Sequence, residues 1–141
     1  MGSCYDCSVS ISITVKPQDR ERAEMCVVAT TIPVLAEMGY EYASEKLAKE
    51  LETSEHGKGK SKKVHIYLHI LDLNYKPDLN IDADAKIQEL AEQIAKKLDE
   101  LPLLDDNGSV SIPGYWNERD PDISGYVRLP QKKKRVVTGK K

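Results

Sequence analysis

The sequence lacks phenylalanine altogether, and its 141 residues include only three cysteines and one tryptophan. No apolar run approaches the ~18 residues that a membrane-spanning helix requires, so we expect no membrane partner. The N-terminus has no basic segment followed by an apolar one, which argues against a secretory signal peptide. Three cysteines are an odd number and are not spaced as a disulfide framework. These absences predict a cytoplasmic protein with reduced thiols.

The 21 Lys and Arg residues and the 23 Asp and Glu residues are divided unevenly along the chain. Residues 132–141 contain no acid and six basic residues, namely Lys132, Lys133, Lys134, Arg135, Lys140 and Lys141. Residues 1–131 keep the other 15 basic residues against all 23 acids, a formal charge of −8. We therefore predict a single α+β domain over residues 1–131. We expect residues 132–141 to form a flexible basic tail that stays solvated or contacts a polyanion.

Alternation of apolar and polar residues predicts four strands. The clearest covers residues 8–16, whose valines and isoleucines all fall on one face. The others are residues 64–73, 109–116 and 123–129. Because residues 64–73 carry partly apolar groups on both faces, we expect this strand to lie inside the sheet with both faces covered.

Two helical regions are predicted. Residues 18–54 show two series of apolar residues at helical spacing, separated by Pro33. Proline removes an amide donor and clashes with the preceding turn, so we expect one kinked helix or two shorter ones, with Gly39 as a second weak point. Residues 82–101 predict a helix with Asp82 as its N-cap and a continuous apolar stripe. The glycine- and lysine-rich residues 56–63 between these regions predict a loop.

The resulting element order is β-α-β-α-β-β. Helical crossovers between successive strands favour parallel or mixed pairing, and the last two strands form a hairpin. We therefore predict a two-layer α+β fold, with a mixed sheet and helices packed on one face, ferredoxin-like in general character.

Cys4 and Cys7 are spaced as a redox pair or as half of a zinc site, but they precede the first predicted strand, whereas a thioredoxin-type pair opens a helix. His65 and His69 share one face of a predicted strand, about 13 Å apart, which is too far to share a metal ion. Cys26 lies in an apolar helical stretch and is expected in the core. We predict no metal site, no cofactor and no catalytic residue. A metal- or thiol-dependent enzyme using Cys4, Cys7 and the His65/His69 face remains an alternative.

Basic and flat side chains form the candidate binding residues. They lie in the predicted loop, on the strand after it and in the tail: Lys58, Lys60, Lys62, Lys63, His65, Tyr67, Lys132, Lys133, Lys134 and Arg135. Cations contact phosphates and rings stack on bases, so this set predicts contact with nucleic acid. The aromatic signature of RNA-recognition sheets is missing, and the predicted element order differs from that fold. The loop also lacks the glycine that a phosphate-binding loop needs at position 54.

Tyr115 and Trp116 precede a loop that contains Glu118, Asp120 and Asp122. This loop lacks the glycine and the later glutamate of a calcium-binding loop, so we predict an ordinary polar connection. Trp116 can be an interaction anchor or a core residue. In a protein without phenylalanine we expect it in the core.

The sequence therefore predicts a small non-catalytic binding or accessory protein that contacts nucleic acid, or a nucleic-acid-associated complex, through its basic tail and loop. Two alternatives stay open besides the enzyme. One is a protein-protein interaction module, including a mobile-element inhibitor of a host machine. The other is a homo-oligomer that pairs through an exposed sheet edge.

Overall fold

The computed structural model describes residues 4–78, 81–116 and 122–131. Its elements in chain order are β1 (Tyr5–Val15), α1 (Arg20–Glu37), α2 (Ser44–Ala48), β2 (Leu51–His56), β3 (Lys63–Tyr75), α3 (Ala83–Leu98), β4 (Gly108–Tyr115) and β5 (Ile123–Leu129). Short 3-10 turns occupy Pro17–Asp19 and Gly59–Ser61. The predicted α+β class is confirmed.

All five strands form one sheet in the order β2-β3-β1-β4-β5, and every neighbouring pair is antiparallel. The prediction of a mixed sheet is therefore wrong. The crossover through α1 connects β1 to β2, and the one through α3 connects β3 to β4, but neither pair is adjacent. In each case one antiparallel strand lies between the two connected strands, so the crossovers create no parallel pairing.

A single hydrophobic core lies between one face of the sheet and helices α1 and α3. Alternate residues of the strands are buried on this side, as the fully buried Ile11 and Leu68 illustrate. Helix α3 contributes the predicted apolar stripe, which contains Ile87, Leu90, Ile94 and Leu98. The Asp82 side chain accepts the backbone N–H of Ala85 at 3.2 Å, which confirms the predicted N-cap.

The prediction of a helical region over residues 18–54 is wrong at its C-terminal end. Pro33 lies inside α1 without ending it. The helix ends at Glu37, and Gly39, two residues further on, has a φ of +100° that suits glycine. The Tyr40 amide then donates to the Leu35 carbonyl oxygen at 2.9 Å, which satisfies an orphan carbonyl of the last turn. After the short α2, Leu51–His56 is a strand and not the end of a helix. The element order is therefore β-α-α-β-β-α-β-β.

The two edges of the sheet differ in what covers them. Along β5, the Gln88 side chain accepts the Tyr126 amide at 2.9 Å and donates to the Tyr126 carbonyl oxygen at 3.2 Å. Asp84 likewise accepts the Ser124 amide at 2.9 Å. Strand β2, in contrast, pairs with β3 on one side and has no strand on its other side within the described part of the chain. Because an unpaired edge can accept a further strand, β2 is the available edge.

Helix α3 also approaches β5 at backbone distance. A Cβ atom at Gly125 would lie 2.6 Å from the carbonyl oxygen of Ile87, closer than real Cβ atoms come to backbone. This close approach brings Asp84 and Gln88 within reach of the strand that they cover.

Candidate functional site

The second face of the sheet, which we call the open face, has no helix packed on it among the described residues. Its side chains are mostly half-buried or exposed, in contrast to the buried residues that alternate with them along each strand. The residues that define it are Ser10, Ser12, Thr14, His65, Tyr67, His69, Ser109, Ser111, Tyr126 and Arg128. Within the described part of the chain, the expectation that both faces of residues 64–73 are covered is not met, because α1 and α3 both lie on the other side.

Strand β3 carries a row of flat side chains along the open face. The rings of Tyr67 and His69 are stacked, with centroids 5.8 Å apart and planes 16° from parallel. Ser10 Oγ lies 2.6 Å from Nδ1 of His69, and Ser12 Oγ lies 2.7 Å from Nε2 of His65. These contacts from β1 fix the orientation of both imidazoles, so the row is held in place before any ligand arrives.

Next to this row, the open face is recessed where β1 and β4 form it, because the side chains there are small. Ser12 of β1 pairs with Ser109 of β4, and Ser10 pairs with Ser111. On β5, which follows β4 in the sheet, the larger side chains of Tyr126 and Arg128 project from the same face. Since strands lie about 4.8 Å apart, the β3 row and the β5 side chains are roughly 14 Å apart. The open face is thus a shallow trough with a floor of hydroxyl groups.

The hydroxyls of Ser109 and Ser111 make no side-chain hydrogen bond within residues 4–78, 81–116 and 122–131. They are partly exposed and point into the trough. A hydroxyl both donates and accepts, so these two groups can bond to sugar hydroxyls or phosphate oxygens.

The basic loop residues predicted from the sequence lie on the β2–β3 hairpin, at the end of the sheet where β3 begins. Lys62 pairs with Glu55 at 3.2 Å and Lys63 pairs with Asp105 at 3.0 Å, so their charges are partly neutralised. Lys58 and Lys60 are exposed and form no ion pair within the described part of the chain. The structure therefore brings Lys58, Lys60 and the row of His65 and Tyr67 onto one continuous strand and hairpin.

The remaining predicted binding residues, Lys132, Lys133, Lys134 and Arg135, lie outside the described residues. The chain is described as far as Gln131, whose amide donates to both carboxylate oxygens of Asp99 at 3.1 Å. Asp99 caps the C-terminal end of α3, so the described chain stops beside the helix layer.

Cys7 and the histidines of the alternative enzyme site are on opposite sides of the sheet. Cys7 is 1% exposed and faces the core, whereas His65 and His69 lie on the open face. Burial raises the pKa of the Cys7 thiol to about 12, so it is protonated and unreactive at neutral pH. Cys26 is partly buried, and its pKa is also raised, mainly by burial. Cys7 and the two histidines therefore cannot form one site.

The serine–histidine contacts on the open face do not make a nucleophilic centre of the usual kind. Neither imidazole contacts a carboxylate among the described residues, so the acidic member of a Ser-His-Asp triad is missing there. The backbone amides of β1 and β3 are used in strand pairing and are not free to stabilise an oxyanion. The same part of the chain contains no group of three or more His, Cys, Asp or Glu side chains that could hold a metal ion. The side chains of the open face are suited to binding a ligand through ring stacking, hydroxyl hydrogen bonds and charge.

Several residues of the open face were missed in the sequence, and one aromatic residue was misplaced. From the sequence alone, the serines of β1 are simply the polar residues that alternate with its valines and isoleucines, and Tyr126 and Arg128 give no signal of their own. Their alternation with buried residues was the available clue. Trp116, expected in the core, is 67% exposed at the end of β4. Strand β4 ends at Tyr115, and no element in the described part of the chain covers the indole.

Comparisons with known proteins give no match among family models, curated proteins or solved structures. None of the helices in the described part of the chain has the length and apolar character needed to cross a membrane.

Proposed function

We propose that this protein is a non-catalytic binding protein that holds single-stranded nucleic acid on the open face of its sheet. The observation that carries the proposal is the stacked pair of Tyr67 and His69, whose imidazole is oriented by Ser10 of β1, in line with the basic β2–β3 hairpin. Stacking between bases and aromatic side chains contributes roughly 1–3 kcal/mol per base. A ring row that is already fixed loses little conformational freedom when a base stacks on it.

The strand order supports this proposal. The first six major elements, leaving out the short α2, follow the β-α-β-β-α-β order of ferredoxin-like domains. In this arrangement β1 and β3 lie side by side in the sheet, and the helices leave their other face free. RNA-recognition sheets of four strands stack bases on such a face. The ferredoxin-like character and the use of the face are both part of the proposal.

Charged side chains on the open face contribute only in part to the proposed nucleic-acid binding. Lys58 and Lys60 on the hairpin and Arg128 on the far side of the trough give basic groups at its margins, while Glu52 of β2 is an acid beside Tyr67. We therefore expect stacking to dominate on the sheet, and phosphate contacts to come from the hairpin and from residues 132–135. Single-stranded ligands fit better than duplexes, because only unpaired bases can stack on the rings.

The test is fluorescence anisotropy of labelled single-stranded RNA and DNA at several salt concentrations. Tyr67→Ala should weaken binding about 5- to 150-fold, the loss of one stacked base. Tyr67→Phe should retain most of the affinity because it keeps the ring. Lys58→Ala and Lys60→Ala should each reduce the slope of log affinity against log salt by about 0.7 on a single strand. Absence of any salt-dependent binding by the intact chain would refute the proposal.

A further inference from the structure

A groove on the helix side of the sheet runs beside the available edge strand β2. It encloses about 720 Å³ between α1, α2 and β2. Its apolar lining includes Met25, which is 65% exposed, together with Val28 and Leu51. An exposed methionine in an apolar groove is adaptable contact surface for a partner side chain. This groove lies on the other side of the sheet from the open face.

The rim of the groove is acidic. Among the described residues that line it, Glu21, Glu24 and Glu45 are acidic and Arg20 alone is basic. Arg20 is already paired with Glu24 at 3.1 Å and with Glu55 at 3.6 Å. Glu21 and Glu45 are exposed and form no ion pair among the described residues. The groove thus offers uncompensated negative charge around apolar contacts.

The edge and the groove form one surface. Leu51 and Thr53 of β2 point their side chains into the groove, while the outer side of the same strand is unpaired in the described part of the chain. A strand added to β2 would place alternate side chains over the groove and the others toward the open-face side. The opposite edge cannot serve in this way, because Gln88 and Asp84 already bond the outward backbone of β5.

We propose that β2 and this groove bind an extended peptide segment of a partner protein, whose groove-facing side chains are apolar in the middle of the segment and Lys or Arg at its two ends. The backbone of the segment pairs with β2, the apolar side chains enter the groove, and the flanking cations meet Glu21 and Glu45. Charge complementarity selects this chemistry over an acidic or purely apolar segment. The assignment is independent of nucleic-acid binding on the open face.

The direct test uses a labelled peptide, Lys-Ser-Val-Ser-Leu-Ser-Lys, in which the two Lys share one face with Val and Leu, and its counterpart with Glu in place of Lys, measured by anisotropy. We expect the basic peptide to bind and the acidic one not to bind. The double variant Glu21→Lys, Glu45→Lys should weaken the basic peptide about tenfold and improve binding of the acidic one. The control double variant Glu41→Lys, Glu100→Lys makes the same change in net charge outside the groove and should leave both affinities unchanged.

Backbone pairing is tested separately from charge. Successive amides of an extended strand point to alternate sides, so methylating every second peptide nitrogen blocks pairing in one phase and spares it in the other. One methylated phase should lose at least about tenfold in affinity, and the other should bind as the parent does. Hydrogen exchange should slow at amides of Leu51–His56. Equal affinity of both phases, or no added protection in β2, overturns the proposal.

Two further variants of the chain test what binds to β2 and the groove. Tyr67→Ala should keep full peptide affinity, which separates this surface from the open face. The chain without residues 132–141 should bind the peptide as the full chain does. If the peptide binds only after that deletion, the basic C-terminal residues themselves occupy the groove and the assignment to a partner protein is wrong. If the chain forms dimers through β2 and does not bind the peptide, then β2 pairs with a second copy of the chain and the assignment to a partner protein is wrong.

Discussion

The side-chain amide of Gln88 makes two hydrogen bonds with the backbone of Tyr126, accepting at 2.9 Å and donating at 3.2 Å. These are the two bonds that a neighbouring strand would make with the same residue. The helix therefore completes the outer side of β5 without adding a strand, and the sheet stops growing there.

Replacing Gln88 with alanine should destabilise the protein by about 1–2 kcal/mol, since two backbone hydrogen bonds of roughly 1 kcal/mol each are lost. The free energy of unfolding in urea gives the magnitude, and hydrogen exchange at the Tyr126 amide should become faster. Gln93→Ala is the matched control, because Gln93 is exposed on the same helix and makes no side-chain hydrogen bond among the described residues. It should change stability by less than about 0.5 kcal/mol. Equal effects of the two variants would contradict this role of Gln88.

Gly125→Ala should cost at least about 2 kcal/mol, because the new methyl group meets backbone atoms of Ile87 that cannot move independently of α3. Gly39→Ala is the comparison. A Cβ at Gly39 meets nothing within 4 Å, so only the cost of its positive φ applies, about 1–2 kcal/mol. Chemical denaturation of both variants should show the larger loss at Gly125, and the reverse order would mean that α3 adjusts easily to β5.

Stability should fall at alkaline pH partly because of Cys7. Burial raises the pKa of this thiol from its ordinary 9.0 to about 12 in the folded protein. Below pH 9 both the folded and the unfolded chain keep the proton, so nothing is lost. Between pH 9 and 12 only the unfolded chain releases it, and this favours unfolding. Burial raises the pKa of Tyr75 as well, which acts in the same direction.

The measurement is urea unfolding at a series of pH values above 8 for the native sequence and for Cys7→Ala. The variant should be less stable at neutral pH because it leaves a small cavity. Its stability should nevertheless fall less steeply with pH. Parallel pH profiles would show that the Cys7 thiol does not titrate differently in the two states.

The three thiols should react with iodoacetamide in an order set by exposure. Cys4 is exposed, Cys26 is partly buried and Cys7 is buried with a raised pKa. Mass spectrometry of the native protein at pH 8 should find Cys4 modified first and Cys7 last, and all three should react quickly in denaturant. Early modification of Cys7 in the native protein would place it outside the core.

The sequence predicted some elements well because their pattern is local. Helix α3 has its cap and stripe in consecutive turns, and β5 coincides with the predicted residues 123–129. Strand β2 was missed because its residues, Leu51–His56, are mostly polar on both faces, as an exposed edge strand allows. Without β2, the antiparallel order of the sheet could not be derived.

The candidate site was predictable only in part, for a similar reason. The row of His65 and Tyr67 follows from the alternation of β3 alone. The serines beneath it belong to β1 and β4, which lie far apart in sequence, and only the register of the sheet brings Ser10 to His69. The exposure of Trp116 depends on where β4 ends, which no local pattern of residues specifies.

The position of β1 has a consequence for synthesis of the chain. β1 is made first, yet its partners are β3 (Lys63–Tyr75) on one side and β4 (Gly108–Tyr115) on the other. While the ribosome is still making the middle of the protein, the apolar side chains of β1 have no completed sheet to join. The domain therefore closes late, after β4 has emerged, and a growing chain carries the apolar face of its central strand uncovered until then.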